Sequence, residues 1–212
     1  MQSVNDKSPL HICALDLLKA FDSIVHSHAI YSLFSNNINL SIVVLLRYWY
    51  SNSFIRLKCS GVVSDSKVFL RRGVRQGGVL SPTIFKLCIA PILSSLPSTF
   101  ISDGIDVLYL AYANDVLLVS RSRAALSHSV SWISDQFRRI GLMLNVDKCE
   151  YISFNSSASL LVNCGFFSIP CVSSFRWLGL HITNNLKLLR ALVVSNAKKK
   201  KKSDRIFKNC CK

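Results

Sequence analysis

Two apolar segments of this chain each carry an aspartate where a strand ends or the chain turns. Residues 11–16 end in Asp16, and residues 107–120 predict two strands around a tight turn at Ala113-Asn114-Asp115. Apolar runs of this length predict buried strands rather than helices. A carboxylate at the edge of a buried strand loses hydration, so it usually has a partner or a metal ion, although strand-end aspartates are more often caps or turn formers. If the two strands are neighbours in one sheet, Asp16 and Asp115 converge, and hard oxygen ligands of this type hold Mg²⁺.

The remaining hydrophobic pattern mixes helices and strands. Helices are predicted over 25–34, over 41–50 and over 126–140 before Gly141. Another begins at Ser81-Pro82, where Ser81 can cap the free N–H groups, with a kink or an end at Pro91. Strands are predicted over 54–59, half-buried and paired with 67–72, and over 150–154, 166–170 and 177–182. This order predicts an α+β fold, in which an antiparallel sheet has its helices packed on one face.

Composition limits the classes of protein that fit. Half of the residues are hydrophobic, which excludes a disordered chain over most of the length. No apolar run reaches the roughly 18–20 residues that cross a bilayer, so we expect no membrane partner. The net charge of +15 predicts a polyanionic partner, although residues 198–212 contribute eight Lys or Arg against one Asp. The eight cysteines show no zinc-knuckle spacing.

Five motifs occur in order along the chain. They are ALDLLKAFDS at 14–23, GVRQGGVLSPTIF at 73–85, YANDVLLVS at 112–120, GLMLNVDKCEYISF at 141–154 and FRWLGLHI at 175–182. Together they resemble five consecutive motifs of reverse transcriptases from non-LTR retrotransposons, over about residues 11–182. The resemblance implies a polymerase palm that performs two-metal nucleotidyl transfer. Two Mg²⁺ ions, an RNA template, a DNA primer and deoxynucleoside triphosphates are the implied cofactor and partners. It names no protein partner.

The resemblance also implies roles for single residues. Asp16 and Asp115 match metal ligands, the carbonyl of Leu17 would face the metal, and Lys148 matches the lysine proposed to protonate the departing pyrophosphate. Phe21, Gln76 and Gly77 match nucleotide-binding positions, with the Phe21 ring excluding a 2′-hydroxyl. The template and primer positions are Gly78, Ser81, Pro82, Trp177, Leu178 and Gly179. The alternatives are ordinary core packing for Phe21, a plain turn for Gly77-Gly78 and a surface lysine for Lys148.

One catalytic position departs from the family pattern. Asn114 stands where the family has the first of two adjacent aspartates, and an amide offers one neutral oxygen but no charge. Losing a unit charge beside a dication costs on the order of several kcal/mol, so we expect severely impaired polymerisation. The alternative function is a non-catalytic nucleic-acid-binding remnant, and a third interpretation is an unstable pseudogene product.

The expected organisation has three parts. Residues 1–10 form an N-terminal segment, 11–185 the palm, and 186–212 a basic tail that we expect to be disordered. Fingers and thumb are expected to be incomplete, as in a truncated copy. We expect an intracellular location, with the nucleus as the candidate compartment.

Overall fold

The computed structural model describes residues 8–75, 77–96, 108–156 and 161–184. The helices are α1 Ala20–Ser23, α2 His26–Ser35, α3 Leu40–Ser51, α4 Ser81–Ser94 and α5 Arg123–Arg139, and a 3₁₀ turn spans Val146–Lys148. The strands are β1 Leu10–Leu15, β2 Phe54–Ile55, β3 Lys58–Cys59, β4 Val62–Val63, β5 Val68–Phe69, β6 Leu108–Tyr112, β7 Asp115–Ser120, β8 Glu150–Phe154, β9 Leu161–Asn163, β10 Ser168–Pro170, β11 Ser174–Trp177 and β12 Leu180–Thr183. The predicted mixture of helices and strands is confirmed.

A four-stranded antiparallel sheet lies at the centre of the fold. Its strand order is β6-β7-β1-β8, so β1 is paired on both sides, with β7 and with β8. Side chains alternate between the two faces of a strand. Cys13 and Leu15 of β1 therefore enter the main core beneath α4 and α5, whereas Ile12 and Ala14 enter a smaller cluster on the opposite face.

Helices cover one face of this sheet, as predicted. The most regular is α5, whose Leu126, Val130, Ile133 and Phe137 are fully buried. It ends at Gly141, which has φ +88°; the Gly141 N–H bonds the Arg138 carbonyl, and the Leu142 N–H bonds the Phe137 carbonyl. This is the pairing of a Schellman C-cap, which favours glycine because of the positive φ. The opposite face carries the β11–β12 hairpin, whose Phe175 packs on the smaller cluster.

The prediction of a half-buried strand over 54–59 is wrong. The chain instead forms two two-residue ladders, β2 with β5 and β3 with β4, and every residue of these strands is exposed. Alternation in the sequence had placed Ile55, Leu57 and Cys59 on a buried face. All three side chains are exposed, so no described element covers them. The predicted pairing with 67–72 is confirmed for Val68 and Phe69 only.

Helix α4 also corrects two predictions. Ser81 does not cap it, because Leu80 occupies the N-cap position and the Ser81 hydroxyl donates instead to the Arg75 carbonyl. Pro91 does not end the helix, which continues to Ser94, and the alternative of a kink at Pro91 stays a prediction. Pro91 is exposed, while Leu93 beyond it is buried, so burial of the last turn offsets the hydrogen bond that proline cannot make.

The strands that follow α5 are close to their predicted positions. Strand β8 has its predicted bounds, β10 begins two residues later than expected, and 177–182 forms the second half of a hairpin rather than one strand. Among the described residues, no helix combines the length and the apolar character needed to cross a bilayer.

Candidate active site

The two predicted aspartates lie at the same end of two paired strands. Asp16 directly follows β1, Asp115 is the first residue of β7, and the β1–β7 ladder ends with Leu15 opposite Val116. One more step in this antiparallel register places Asp16 opposite Asp115. Ala14 on β1 and Leu117 on β7 share the face away from the helices. Alternation therefore puts both carboxylates on that face as well.

The two carboxylates repel each other. Burial raises the pKa of Asp115, and the nearby charge of Asp16 raises it further. An interaction of this kind requires the two groups to be close, because exposed charges are screened over roughly 10 Å. A divalent cation between like charges would remove the repulsion.

A cleft of about 320 Å³ opens beside Asp16. Its lining residues are Asp16, Leu17, Leu18, Lys19, Ala20, Phe21, Asn114, Asn145 and Lys148. Five of the residues predicted for the site thus meet here, from three separate motifs. Asp115 is not among the lining residues, but it directly follows Asn114 at the rim.

Asn114 is positioned by the tight turn between β6 and β7. Tyr112 pairs with Asp115, and Ala113 between them has φ +52°, which is unusual for a residue with a side chain. The turn brings Asn114 to the edge of the cleft, half-buried, while Val116 behind it is fully buried. The residue that departs from the family pattern therefore sits at the candidate metal site.

The backbone around Leu17 is held on one side only. The Leu18 N–H donates to the Met143 carbonyl at 2.8 Å, and the Asn145 N–H donates to the Asp16 carbonyl at 2.9 Å. Leu17 lies opposite Leu144 in an antiparallel bridge, and the two hydrogen bonds are made by the residues on either side of each. In an antiparallel ladder such a residue directs its own N–H and C=O to the other side. That side is the one toward β7 and Asp115.

Oxygen donors of the right chemistry surround this point. They are the two carboxylates, the side-chain amide oxygen of Asn114 and the carbonyl of Leu17, and hard divalent cations prefer such oxygens. Among the residues that the structure describes, however, no three His, Cys, Asp or Glu side chains are grouped so as to hold a metal ion. The donor set fits a cation bound by two carboxylates that takes further ligands from water or phosphate.

Phe21 and Lys148 both line the cleft. The Phe21 ring stacks on Phe85 of α4 with centroids 4.9 Å apart, and its carbonyl accepts a 2.7 Å bond from the Val74 N–H. Phe21 thereby serves both as packing and as a wall of the cleft. Lys148 ends the 3₁₀ turn before β8, where its backbone N–H bonds the Asn145 carbonyl at 3.0 Å and its side chain is exposed.

The predicted nucleotide and template loop lies apart from this cleft. Gln76 falls outside the described residues, and Gly77, with φ +77°, is exposed. Gly78 and Ser81 line a second, larger cleft; a Cβ added to Gly78 would lie 2.8 Å from the Ser81 Oγ. Pro82, in the first turn of α4, is exposed and lines neither cleft.

The predicted primer hairpin lies on the same face of the sheet as the two aspartates. Trp177 ends β11, and Leu178 and Gly179 form the turn, with φ +47° and +78°. Trp177 packs on the smaller apolar cluster, and its indole N–H has no hydrogen-bond partner among the described residues. A buried donor without a partner costs free energy.

Sequence reasoning missed three polar residues near the site. Lys19 lines the cleft with φ +45°, and Asn145 lines it while bonding the Asp16 carbonyl. Glu150 lies opposite Ala14 on the same face as the aspartates, and burial raises its pKa. The available signals were a basic residue three positions after Asp16 and an acid at the start of an apolar strand.

Known protein families and structures resemble this chain. A family model described as reverse transcriptase (RNA-dependent DNA polymerase) matches residues 2–182. A retrovirus-related Pol polyprotein from a type-1 retrotransposable element R2 of Nasonia vitripennis is 32% identical over 148 residues, which are 68% of this chain and 14% of that protein. An RNA-directed DNA polymerase from the mobile element jockey of Drosophila funebris is 24% identical over 163 residues, 74% of this chain and 18% of that protein.

The fold resembles that of solved telomerase structures. Telomerase from Candida tropicalis, solved with a fragment of telomeric RNA, matches 86% of this chain and 31% of its own chain. The TM-score is 0.65 at 14% sequence identity, so the likeness concerns the fold. The chain spans about a seventh to a quarter of the length of the first curated relatives that it matches.

Proposed function

The chain belongs to the reverse transcriptase family, and we propose that it is the part of a larger retrotransposon protein that carries the nucleotidyl-transfer site for RNA-directed DNA synthesis. One observation carries the proposal. Asp16 and Asp115, from two distant motifs, share one end and one face of the same pair of strands, beside a cleft that Phe21 and Lys148 also line.

In the proposed reaction, the 3′-hydroxyl of a DNA primer attacks the α-phosphorus of a deoxynucleoside triphosphate. A new P–O bond forms, the bond to pyrophosphate breaks, and the hydroxyl proton is lost to solvent. Divalent cations, with Mg²⁺ as the proposed ion, would stabilise the charge on the entering and leaving oxygens. Asp16, Asp115 and the Leu17 carbonyl would hold them, and Lys148 would give a proton to the departing pyrophosphate.

The remaining residues of the site would position the substrates. Phe21, fixed by its stacking on Phe85, would exclude a ribose 2′-hydroxyl from the cleft. Gln76 and Gly77 would contact the incoming nucleotide. Gly78, Ser81 and Pro82 would support the template, and the hairpin turn at Trp177, Leu178 and Gly179 would hold the primer end.

We further propose that Asn114 impairs this activity. Because Asn114 lines the cleft beside Asp16, its neutral amide removes one negative charge from the cation site. Placing residues 8–184 in the framework of a complete relative allows primer extension to be measured. Asn114→Asp should raise the extension rate at least about a hundredfold, since each ~1.4 kcal/mol of transition-state stabilisation is a factor of ten.

Two further variants sharpen this experiment. Asp16→Asn in the Asn114→Asp background should abolish extension, and Asp147→Asn, which removes an exposed acid from the neighbouring turn, should leave it unchanged. Near-normal extension by the unaltered domain, with no gain from Asn114→Asp, would refute the proposed impairment. Extension that survives Asp16→Asn would refute the proposed site.

A second candidate function is non-catalytic nucleic-acid binding. Asn114 favours this function because it removes a charge from the proposed cation site. The excess of 26 Lys and Arg over 11 Asp and Glu favours it because basic side chains bind phosphates. Nucleotide binding that depends on a divalent cation would support the polymerase. Salt-sensitive RNA binding that is indifferent to divalent cations, together with no cation-dependent nucleotide binding, would support this second function.

A further inference from the structure

Helix α3 is apolar on two opposite sides, but only one of these sides is buried. Val43 and Leu46 face the core and are 4% and 5% exposed. The opposite side carries five large apolar side chains that are between 48% and 69% exposed: Ile42, Val44, Leu45, Tyr48 and Trp49. At 100° per residue these five span an arc of about 160°, which we term the α3 face. A helix that is apolar on both sides is normally covered on both.

The α3 face lies in a nearly uncharged stretch of the chain. Residues 23–55 contain a single charged side chain, Arg47, whereas 17% of all residues in the chain are charged. By its position in the helix, Arg47 lies beside Val43 rather than on the α3 face. Proteins bind the phosphates of nucleic acids through Lys and Arg, so this face does not suit a nucleic acid. It suits an apolar surface of another protein molecule instead.

Charge and area both favour a second copy of this chain as the occupant. Each copy carries +15, so two copies repel each other across charged surfaces, and the uncharged α3 face is free of that repulsion. Leu40 on the same helix is also exposed, as are Tyr31 and Phe34 of α2, which packs against α3. Together with the α3 face they expose on the order of 900 Å², close to the roughly 800 Å² that each partner contributes to a standard interface.

We infer that the α3 face is the contact surface of a homodimer, in which α3 packs antiparallel against α3 of a second copy. In a two-fold interface the same patch is used by both copies, and the residue on the axis meets its own counterpart. Leu45 lies at the centre of the α3 face and therefore on the axis. Tyr48, three residues after it, then lies opposite Ile42 of the second copy. Trp49 lies opposite Ser41, whose small side chain leaves room for the indole ring.

Sedimentation equilibrium of the full chain under reducing conditions tests the inference. The unaltered chain should sediment at twice its mass of 23.7 kDa by about 100 μM, because standard interfaces have micromolar or tighter affinity. Leu45→Glu should weaken dimerisation at least about thirtyfold, since it would place two carboxylates at the centre of the interface. An unaltered chain that stays monomeric at about 100 μM, or dimerisation that is unchanged in Leu45→Glu, would overturn the inference.

A charge-swap experiment tests the two-fold geometry itself. Leu45→Lys alone should be monomeric, as Leu45→Glu is, because each variant would bring two like charges together. An equal mixture of the two variants should form dimers again, since opposite charges then meet on the axis. A surface that docks a different segment or protein would not respond to mixing. Failure of the mixture to dimerise would therefore overturn the inference.

Val62→Glu is the matched control. Val62 is 73% exposed, like Leu45 at 64%, but it belongs to β4 and not to α3. This variant should dimerise as the unaltered chain does, and an equal loss in Val62→Glu and Leu45→Glu would overturn the inference. Circular dichroism melting verifies that each variant is folded. Neither residue lines the cleft beside Asp16, so the proposed polymerase activity is judged separately, by primer extension.

Discussion

At the scale of single residues, the central sheet has two carboxylates at the ends of strands whose other residues are largely buried. Asp16 and Asp115 stand at the ends of strands whose inner residues, such as Cys13 and Val116, are fully buried. A rigid, close-packed support of this kind fixes the positions of two like charges that would otherwise move apart. Asn114 has an amide nitrogen where an aspartate would have a second carboxylate oxygen. The two side chains are nearly equal in size, so the charge of the site differs and its shape does not.

Buried His11 makes a separate residue-scale prediction. Its Nδ1 lies 2.6 Å from the Tyr151 hydroxyl and 3.3 Å from the Ser153 Oγ, and it is 3% exposed. Burial lowers the pKa of His11 below its usual 6.5, and the charge of Arg123 lowers it further. The folded state therefore favours the neutral ring, so this contribution to stability is present above about pH 6.5 and is lost as the pH falls toward the folded pKa.

The measurement is the free energy of unfolding as a function of pH. His11→Gln should flatten the decline below about pH 6.5, by at most about 1.4 kcal/mol per pH unit. His28, whose pKa is also lowered by burial, maintains part of the decline. The exposed His181 provides the control His181→Gln, which should not alter it. A decline that is unchanged in His11→Gln would contradict this account of His11.

At the scale of elements, burial outweighs local propensity in α4. Sequence rules predict an end or a kink at Pro91, and the predicted end is wrong. The helix continues for three more residues because Leu93 is buried and Pro91 is exposed. Over 54–59 the alternation of apolar and polar residues favours a half-buried strand. No described element covers its apolar face, so these strand residues are exposed. Periodicity predicts which face is apolar, and only the tertiary structure determines whether something packs on that face.

Replacing Pro91 measures how much the proline destabilises α4, a loss that burial of the last helical turn offsets. Pro91→Ala should raise the free energy of unfolding by about 1 kcal/mol, because alanine restores the missing N–H and relieves the clash with the preceding turn, while the more flexible unfolded chain offsets part of the gain. Chemical denaturation gives the value. Pro82→Ala is the matched control, since a proline in the first helical turn costs little. A loss of stability in Pro91→Ala would mean that the ring is required for packing.

At the scale of the whole molecule, the sequence predicted the sheet and the convergence of three of the five motifs. Short apolar runs identified β1, β7 and β8, and the helical spacing of α5 was matched by burial at every predicted position. The motifs led to Asp16, Phe21, Asn114 and Lys148, and these line one cleft. Their individual roles, the boundaries of the domain and an intracellular location remain predictions.

The rest of the site depended on contacts distant in sequence. Asn145 enters it through a backbone bond to Asp16, which leaves no local pattern, and Glu150 enters it through its pairing with Ala14, for which an acid at the start of an apolar strand was the local signal. The larger cleft likewise forms only when the end of α3 meets a loop more than twenty residues later. The spacing of residues along the chain cannot predict such contacts, because they depend on how the helices and strands pack together.

Asp16 and Asp115 are proposed to form one site for a divalent cation, and Mn²⁺ binding followed by electron paramagnetic resonance measures whether the claim is right. Either Asp16→Asn or Asp115→Asn should weaken Mn²⁺ binding about tenfold or more, and the double variant should lose little beyond either single change, since both side chains serve the same ion. Asn114→Asp should strengthen binding, and Asp147→Asn should have no effect. Mn²⁺ affinity that is unchanged by both single variants would contradict the claim.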